Sequence, residues 1–181
     1  LGAGQLGGEA GEEVILGLLR SQHGHGGQHA ECICGKEDYI LSCRCGRNRT
    51  YNVLDMVKAH PETTFYFYTP PYSAAWWYTQ KCSGNLERYL QAEKLQAEML
   101  LEYDNVKLFS FSDFFDVTCN LDNYKDDTHY SDKISDEIIH WIHDGKGLMT
   151  RENYGSRIQK MLDYYLDYDY SRSGIPLVQE N

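Results

Sequence analysis

The sequence predicts a three-layer α/β fold, in which helices cover both faces of a parallel β-sheet. Two apolar runs, 64–69 and 106–111, are rich in aromatic and β-branched residues, which is typical of strands covered on both faces. Helical periodicity precedes, separates and follows these runs, and strands that alternate with helices tend to pair in parallel. In such a sheet, functional residues collect in the loops at the carboxyl ends of the strands.

The elements follow one another along the chain with clear boundaries. Apolar residues between Val53 and Val57 predict a short helix, and the first strand ends where proline begins at Pro70. Three longer helical patterns and a second strand come next: helix 85–103, strand 106–111, a helix over 134–142 and a last helix that opens at Thr150. The tail after Asp169 is expected to be irregular. Before residue 50 the only good strand candidate is 14–16, which should pair with the first run.

The composition changes abruptly near Thr50. Residues 1–50 contain 11 of the 16 glycines and 4 of the 6 cysteines, but only one of the 24 aromatic residues. We therefore divide the chain into an atypical Gly/Cys/His-rich segment, residues 1–50, an α/β portion, residues 51–170, and a tail, residues 171–181. The many glycines make ordering of the first segment entropically costly, so we expect an incomplete or irregular N-terminal part of the fold.

Charge and hydropathy narrow the classes of partner. The net charge of −10 argues against binding to nucleic acid, because phosphate recognition needs a clustered basic face. No apolar run reaches the length of a membrane span, so attachment to a membrane would require an anchor that precedes Leu1.

A polar loop between the second strand and the next helix contains an aspartate and a histidine three residues apart, Asp126 and His129. A serine hydrolase needs an imidazole to accept the proton of its nucleophile and a carboxylate to fix the imidazole tautomer. On a tight loop, this spacing can bring the carboxylate back to the imidazole Nδ1. Asp127 has the wrong spacing for that role. The alternative interpretation is an aspartate that caps a helix beside a surface histidine.

Three stretches resemble the SGNH/GDSL hydrolase superfamily. Asp126-x-x-His129-Tyr130-Ser131 is similar to its block V, while 64–73 (TFYFYTPPYS) and 105–111 (NVKLFSF) resemble the fourth and fifth strands of a bacterial SGNH-like group. The resemblance covers roughly 51–165 and implies a flavodoxin-like sheet, with His129 as general base and Asp126 as its orienting carboxylate. It also implies an esterase or O-acyl transferase that needs no cofactor. An acylated cell-envelope carbohydrate would be a suitable substrate, and the location would then be extracytoplasmic.

The nucleophilic serine of that superfamily, which follows its first strand, has no match. Residues 13–17 look like the end of that strand, but Leu18 and Leu19 come next and Ser21 is two positions late. The superfamily's glycine and asparagine blocks, which supply the oxyanion hole, are also missing between Gly17 and Tyr51. We therefore expect impaired catalysis, and the alternative is a catalytically inactive binding or scaffold protein.

Residues 1–50 allow three interpretations: a divergent segment, a translated frameshift, or a zinc-binding module. The third depends on four cysteines and three upstream histidines, which could supply tetrahedral ligands. These residues are Cys32, Cys34, Cys43, Cys45, His23, His25 and His29. Cys-x-Cys pairs match structural zinc sites less well than Cys-x-x-Cys pairs, so the divergent segment and the frameshift stay open beside the zinc module.

Overall fold

The computed structural model describes the backbone of residues 13–17 and the whole of residues 53–175. Its four strands are β1 (Glu13–Gly17), β2 (Thr64–Thr69), β3 (Val106–Ser110) and β4 (Leu148–Met149). They form one sheet in the order β1-β2-β3-β4. The first three strands are parallel, and β4 is antiparallel to β3. The chain is therefore a mixed α/β protein.

Both strand pairings predicted from the sequence are confirmed. Phe65 lies opposite Val106, which makes the two aromatic runs adjacent parallel strands. Val14 also lies opposite Phe65, on the other side of β2, so the strand candidate of the N-terminal segment joins the sheet where it was expected. The antiparallel strand β4 was not predicted.

Helices connect the strands and cover them. They are α1 (53–59), α2 (Ala74–Cys82), α3 (Leu86–Leu100), α4 (Phe115–Thr118), α5 (Asp132–His143) and α6 (Tyr154–Asp167). The predicted helix 85–103 corresponds to α3, whereas α2 was not predicted. Within residues 53–175, no helix combines the length and the apolar composition that crossing a bilayer requires.

Alternate residues of β2 enter two different hydrophobic clusters. Phe65 and Phe67 pack in the larger one, together with residues from α1, α2, α3 and α6. Tyr66 packs in the smaller one with Phe109 of β3 and the apolar stripe of α5. Successive side chains of a strand point to opposite faces, so the sheet carries helices on both sides.

An ion pair connects α6 to the carboxyl end of β3. Arg157 donates to both carboxylate oxygens of Asp113, from Nη2 at 2.5 Å and from Nε at 3.0 Å. Its Nη groups also donate to the carbonyl oxygens of Ser110, Gly147 and Leu148. The two charged side chains are only 16% and 8% exposed, so this cluster holds β3, β4 and α6 together in a largely dry environment.

The expectation of an irregular tail after Asp169 is wrong for residues 170–173. Tyr170–Ser173 forms a 3₁₀ helix, and Tyr170 is buried. Its ring packs against Tyr78, with 5.0 Å between centroids, and its hydroxyl donates to the carbonyl oxygen of Tyr165 at 2.5 Å. The contact with Tyr78 joins residues far apart in the sequence, and the bond to Tyr165 requires that α6 has formed. The composition of the tail therefore did not reveal them.

Candidate active site

The segment between α4 and α5 closes on itself as a short loop, which we call the His–Asp loop (residues 124–130). Tyr124 and Tyr130 form an isolated antiparallel bridge at its base. One step further in, the Lys125 N–H donates to the carbonyl oxygen of His129 at 2.7 Å. Backbone pairing thus brings residues 125 and 129 together and leaves three residues at the tip of the loop.

Asp126 holds this tip through its side chain. Its Oδ1 accepts hydrogen bonds from the backbone N–H groups of Thr128, at 2.9 Å, and His129, at 2.7 Å. Its Oδ2 lies 2.7 Å from Nδ1 of the His129 ring, so the contact predicted from the Asp-x-x-His spacing is confirmed. These bonds stabilise the charged carboxylate. The backbone N–H of His129, that of Thr128 and then the His129 ring lower the pKa of Asp126 to about 2.

The ionised carboxylate determines the tautomer of the histidine. A carboxylate can only accept hydrogen bonds, so Nδ1 of His129 must carry a proton when Asp126 is charged. In the neutral imidazole, Nε2 then holds the free lone pair. No hydrogen bond to Nε2 occurs among the described residues, and the side chain is 67% exposed. This ring can therefore accept a proton at Nε2 while the carboxylate stabilises the resulting imidazolium.

Two alternatives for these residues do not fit the geometry. Asp126 does not cap a helix, because the helix that follows begins at Asp132 with Ser131 as its N-cap. Asp127 does not orient the imidazole, because Nδ1 of the ring contacts the carboxylate of Asp126. The Asp127 carboxylate instead accepts from the hydroxyl of Thr128 at 3.1 Å. The structure thus brings together the two residues that the sequence singled out and assigns Asp127 another contact.

The His–Asp loop lies at the carboxyl edge of the sheet, against the segment that leaves β2. The Ser73 hydroxyl donates to the carbonyl oxygen of Asp127 at 2.5 Å. The Tyr124 hydroxyl donates to the carbonyl oxygen of Pro71 at 2.7 Å. Burial raises the pKa of Tyr124, which keeps its phenol protonated as a donor. The sequence carried no signal for these bonds between the two segments.

Tyr130 places the histidine beside the end of β2. Burial raises the pKa of its phenol, and the neighbouring phenols of Tyr68 and Tyr72 raise it further. Tyr68 belongs to β2 and lies opposite Gly17, the last residue of β1. The carboxyl end of β1 and the His–Asp loop thus both lie next to Tyr68, at the carboxyl end of β2.

Several residues named from the sequence lie outside the described residues. They are Leu18, Leu19, Ser21, His23, His25, His29, Cys32, Cys34, Cys43 and Cys45. Over 53–175, no serine, threonine or cysteine side chain hydrogen-bonds the His129 ring. In the described part of the chain, no three His, Cys, Asp or Glu residues are grouped closely enough to hold a metal ion. Comparison of the chain with protein-family models, with curated proteins and with solved structures gives no match.

Proposed function

We propose that this chain contributes the general base and its orienting carboxylate to an acyl-ester hydrolase or O-acyl transferase site of the SGNH/GDSL kind. The observation that carries the proposal is the 2.7 Å contact between Asp126 Oδ2 and His129 Nδ1, on a ring that stays mostly exposed. An exposed His–Asp pair contributes little to stability, so its geometry is better explained by what it does to the imidazole. The substrate class, an acylated carbohydrate of the cell envelope, follows from the resemblance alone.

A flavodoxin-like three-layer arrangement is part of this proposal. Hydrophobic clusters on both faces of the sheet, and the parallel order β1-β2-β3, support it. One feature differs: flavodoxin-like order places another strand between the first and fourth strands, whereas β1 pairs directly with β2. If β2 corresponds to the fourth strand of that order, the strand that should lie between it and β1 is absent from the described sheet.

The nucleophile would have to come from the segment that follows β1. Gly17 ends that strand opposite Tyr68, so the chain leaves the sheet at the edge where His129 lies. The next two residues, Leu18 and Leu19, have no hydroxyl, and Ser21 is the first residue beyond them that has one. We therefore expect slow turnover, with Ser21 as the residue to test.

Hydrolysis of a short-chain p-nitrophenyl ester by the full chain tests the proposal. Removing a general base costs about 10²–10⁴-fold in rate, so His129→Ala should lower the turnover number by at least about 100-fold. His140→Ala is the matched control, because His140 is an exposed histidine on the next helix. Ser21→Ala should abolish turnover if Ser21 is the nucleophile. Equal rates for the wild-type chain and His129→Ala would contradict the proposed role of the histidine.

A second candidate is a binding protein that retains the site without the nucleophile. The two leucines after Gly17 favour it, because a leucine side chain cannot attack a carbonyl. In that case an O-acetylated oligosaccharide should shift the NMR resonances of His129 and remain intact. Release of acetate from the same oligosaccharide would exclude this candidate.

A further inference from the structure

We infer that Ser73 and Tyr124 are positioning residues, which fix the His129–Asp126 pair relative to the sheet. This inference rests on the proposed function. The bonds that close the His–Asp loop, such as Lys125 N–H to His129 carbonyl, are internal to it. They shape the loop but do not determine where it lies. Its place at the sheet edge depends on its contacts with the segment after β2.

Ser73 is a rigid anchor on the β2 side. It is fully buried, and its oxygen accepts from the N–H of Trp76 at 3.2 Å as the N-cap of α2. That bond uses a lone pair of the hydroxyl, so its single proton is free to be donated to the carbonyl oxygen of Asp127. The start of a buried helix is thereby connected to the residue next to Asp126.

Tyr124 is the second anchor and acts from the loop side. Its hydroxyl donates to Pro71, which is fully buried two residues before Ser73. Tyr124 precedes Asp126 by two residues, and Asp127 follows it by one. Asp126 therefore lies between the two anchored positions, and movement of the loop away from the sheet breaks both bonds.

Position matters here because a general base must lie within hydrogen-bond reach of the proton that it accepts. A displacement of about 1 Å at a reacting group can cost about 100-fold in rate. The His–Asp loop is exposed at its tip, and the hydroxyls of Ser73 and Tyr124 bond it to the segment after β2. At the base of the loop, Tyr130 also hydrogen-bonds to Tyr68 of β2. Losing either hydroxyl should loosen the pair before it unfolds the domain.

NMR on the full chain tests this directly, with Tyr124→Phe as the main variant and Ser73→Ala as the second. Tyr124→Phe removes only an oxygen atom, whereas Ser73→Ala also removes the N-cap of α2. Tyr154→Phe is the matched control, because the hydroxyl of Tyr154, on α6, donates to Glu98 of α3 at 3.1 Å, outside the loop. Loss of one hydrogen bond changes a local opening equilibrium by about tenfold. The His129 amide should therefore exchange about tenfold faster in both loop variants. In the Tyr154→Phe control, its exchange rate should stay within about twofold of the wild-type rate.

The ¹⁵N spectrum of the His129 ring gives a readout that a merely structural role would leave unchanged. In Tyr124→Phe at neutral pH, we expect loss of part of the Nδ1-protonated tautomer while the rest of the spectrum stays native. Wild-type tautomer and exchange rates in Tyr124→Phe would overturn the inference. Absence of ester turnover in the wild-type chain would contradict the proposed function instead, and the NMR comparison would still decide the positioning role.

Discussion

Arg157→Met should be among the most damaging substitutions in the described part of the fold. It removes both bonds to Asp113, whose side chain is only 8% exposed. Of the three carbonyl oxygens that lose a donor, two keep another: Gly147 retains the Ser110 N–H at 2.9 Å, and Leu148 retains the Asn153 amide at 3.1 Å. The cost therefore falls mainly on the unpaired carboxylate. Leaving one charge of a buried pair uncompensated costs about 3–5 kcal/mol.

A double-mutant cycle separates the charge from the packing. Asp113→Asn alone should cost about 1–3 kcal/mol, the usual range for a lost partner of a buried hydrogen-bonding group. In the double variant the buried charge is gone, so its destabilisation should fall short of the sum of the single variants by more than about 1 kcal/mol. Urea unfolding followed by circular dichroism measures each free energy, and an unchanged m value shows that the compactness of the two states has not changed.

The reasoning fails if the two substitutions are additive. Single-variant costs that sum to the double-variant cost within about 0.5 kcal/mol would mean that Arg157 and Asp113 act independently. If Arg157→Met lowers the free energy of unfolding by less than about 1 kcal/mol, the Arg157–Asp113 pair is as weak as a solvent-screened surface ion pair, despite its low exposure.

Two further measurements address the glycine turn before β4 and the Asp126 carboxylate. Gly147→Ala should destabilise the protein by at least about 1 kcal/mol more than Gly145→Ala in thermal unfolding. Both glycines have a positive φ, 82° at Gly147 and 70° at Gly145. Only at Gly147 would an added Cβ meet the carbonyl oxygen of Ser110, at 2.8 Å. ¹³C NMR should give Asp126 a midpoint of about pH 2, below the usual 3.8, so its contribution to stability is present above the unfolded pKa and is lost as pH falls towards 2. Backbone N–H donors are its largest cause, so His129→Ala should restore only part of the difference, and full restoration would contradict this assignment.

The elements predicted correctly are those whose evidence is local. The alternation of β2 places Phe65 and Phe67 on one face and Tyr66 on the other, and the run of apolar residues showed that both faces are covered. The stripe of α5 repeats at helical spacing and packs as one side of the smaller cluster. In each case the pattern within about ten residues contains the burial information.

The elements that were missed depend on distant partners. β4 has two residues and is a strand only because Leu148 and Met149 pair with β3. The sequence of α2 places Trp76 and Trp77 side by side, both buried, so it shows no amphipathic contrast that would indicate a helix. Tyr170 is ordered by rings and carbonyl groups of other segments rather than by its own neighbours in the chain.

The candidate site divides in the same way. The Asp126–His129 contact spans three residues and could be predicted, because a tight loop brings such positions together. The anchoring bonds of Ser73 and Tyr124 span 54 and 53 residues. Nothing in the sequence of the segment after β2, or in that of the His–Asp loop, indicates that the two segments bond to each other. Four residues of the form Asp-x-x-His occur by chance on many surfaces. What distinguishes this pair from a chance occurrence is therefore the long-range part: the loop that carries it is held at the carboxyl ends of the parallel strands by the hydroxyl of Ser73, in the segment after β2, and by the hydroxyl of Tyr124, in the loop itself.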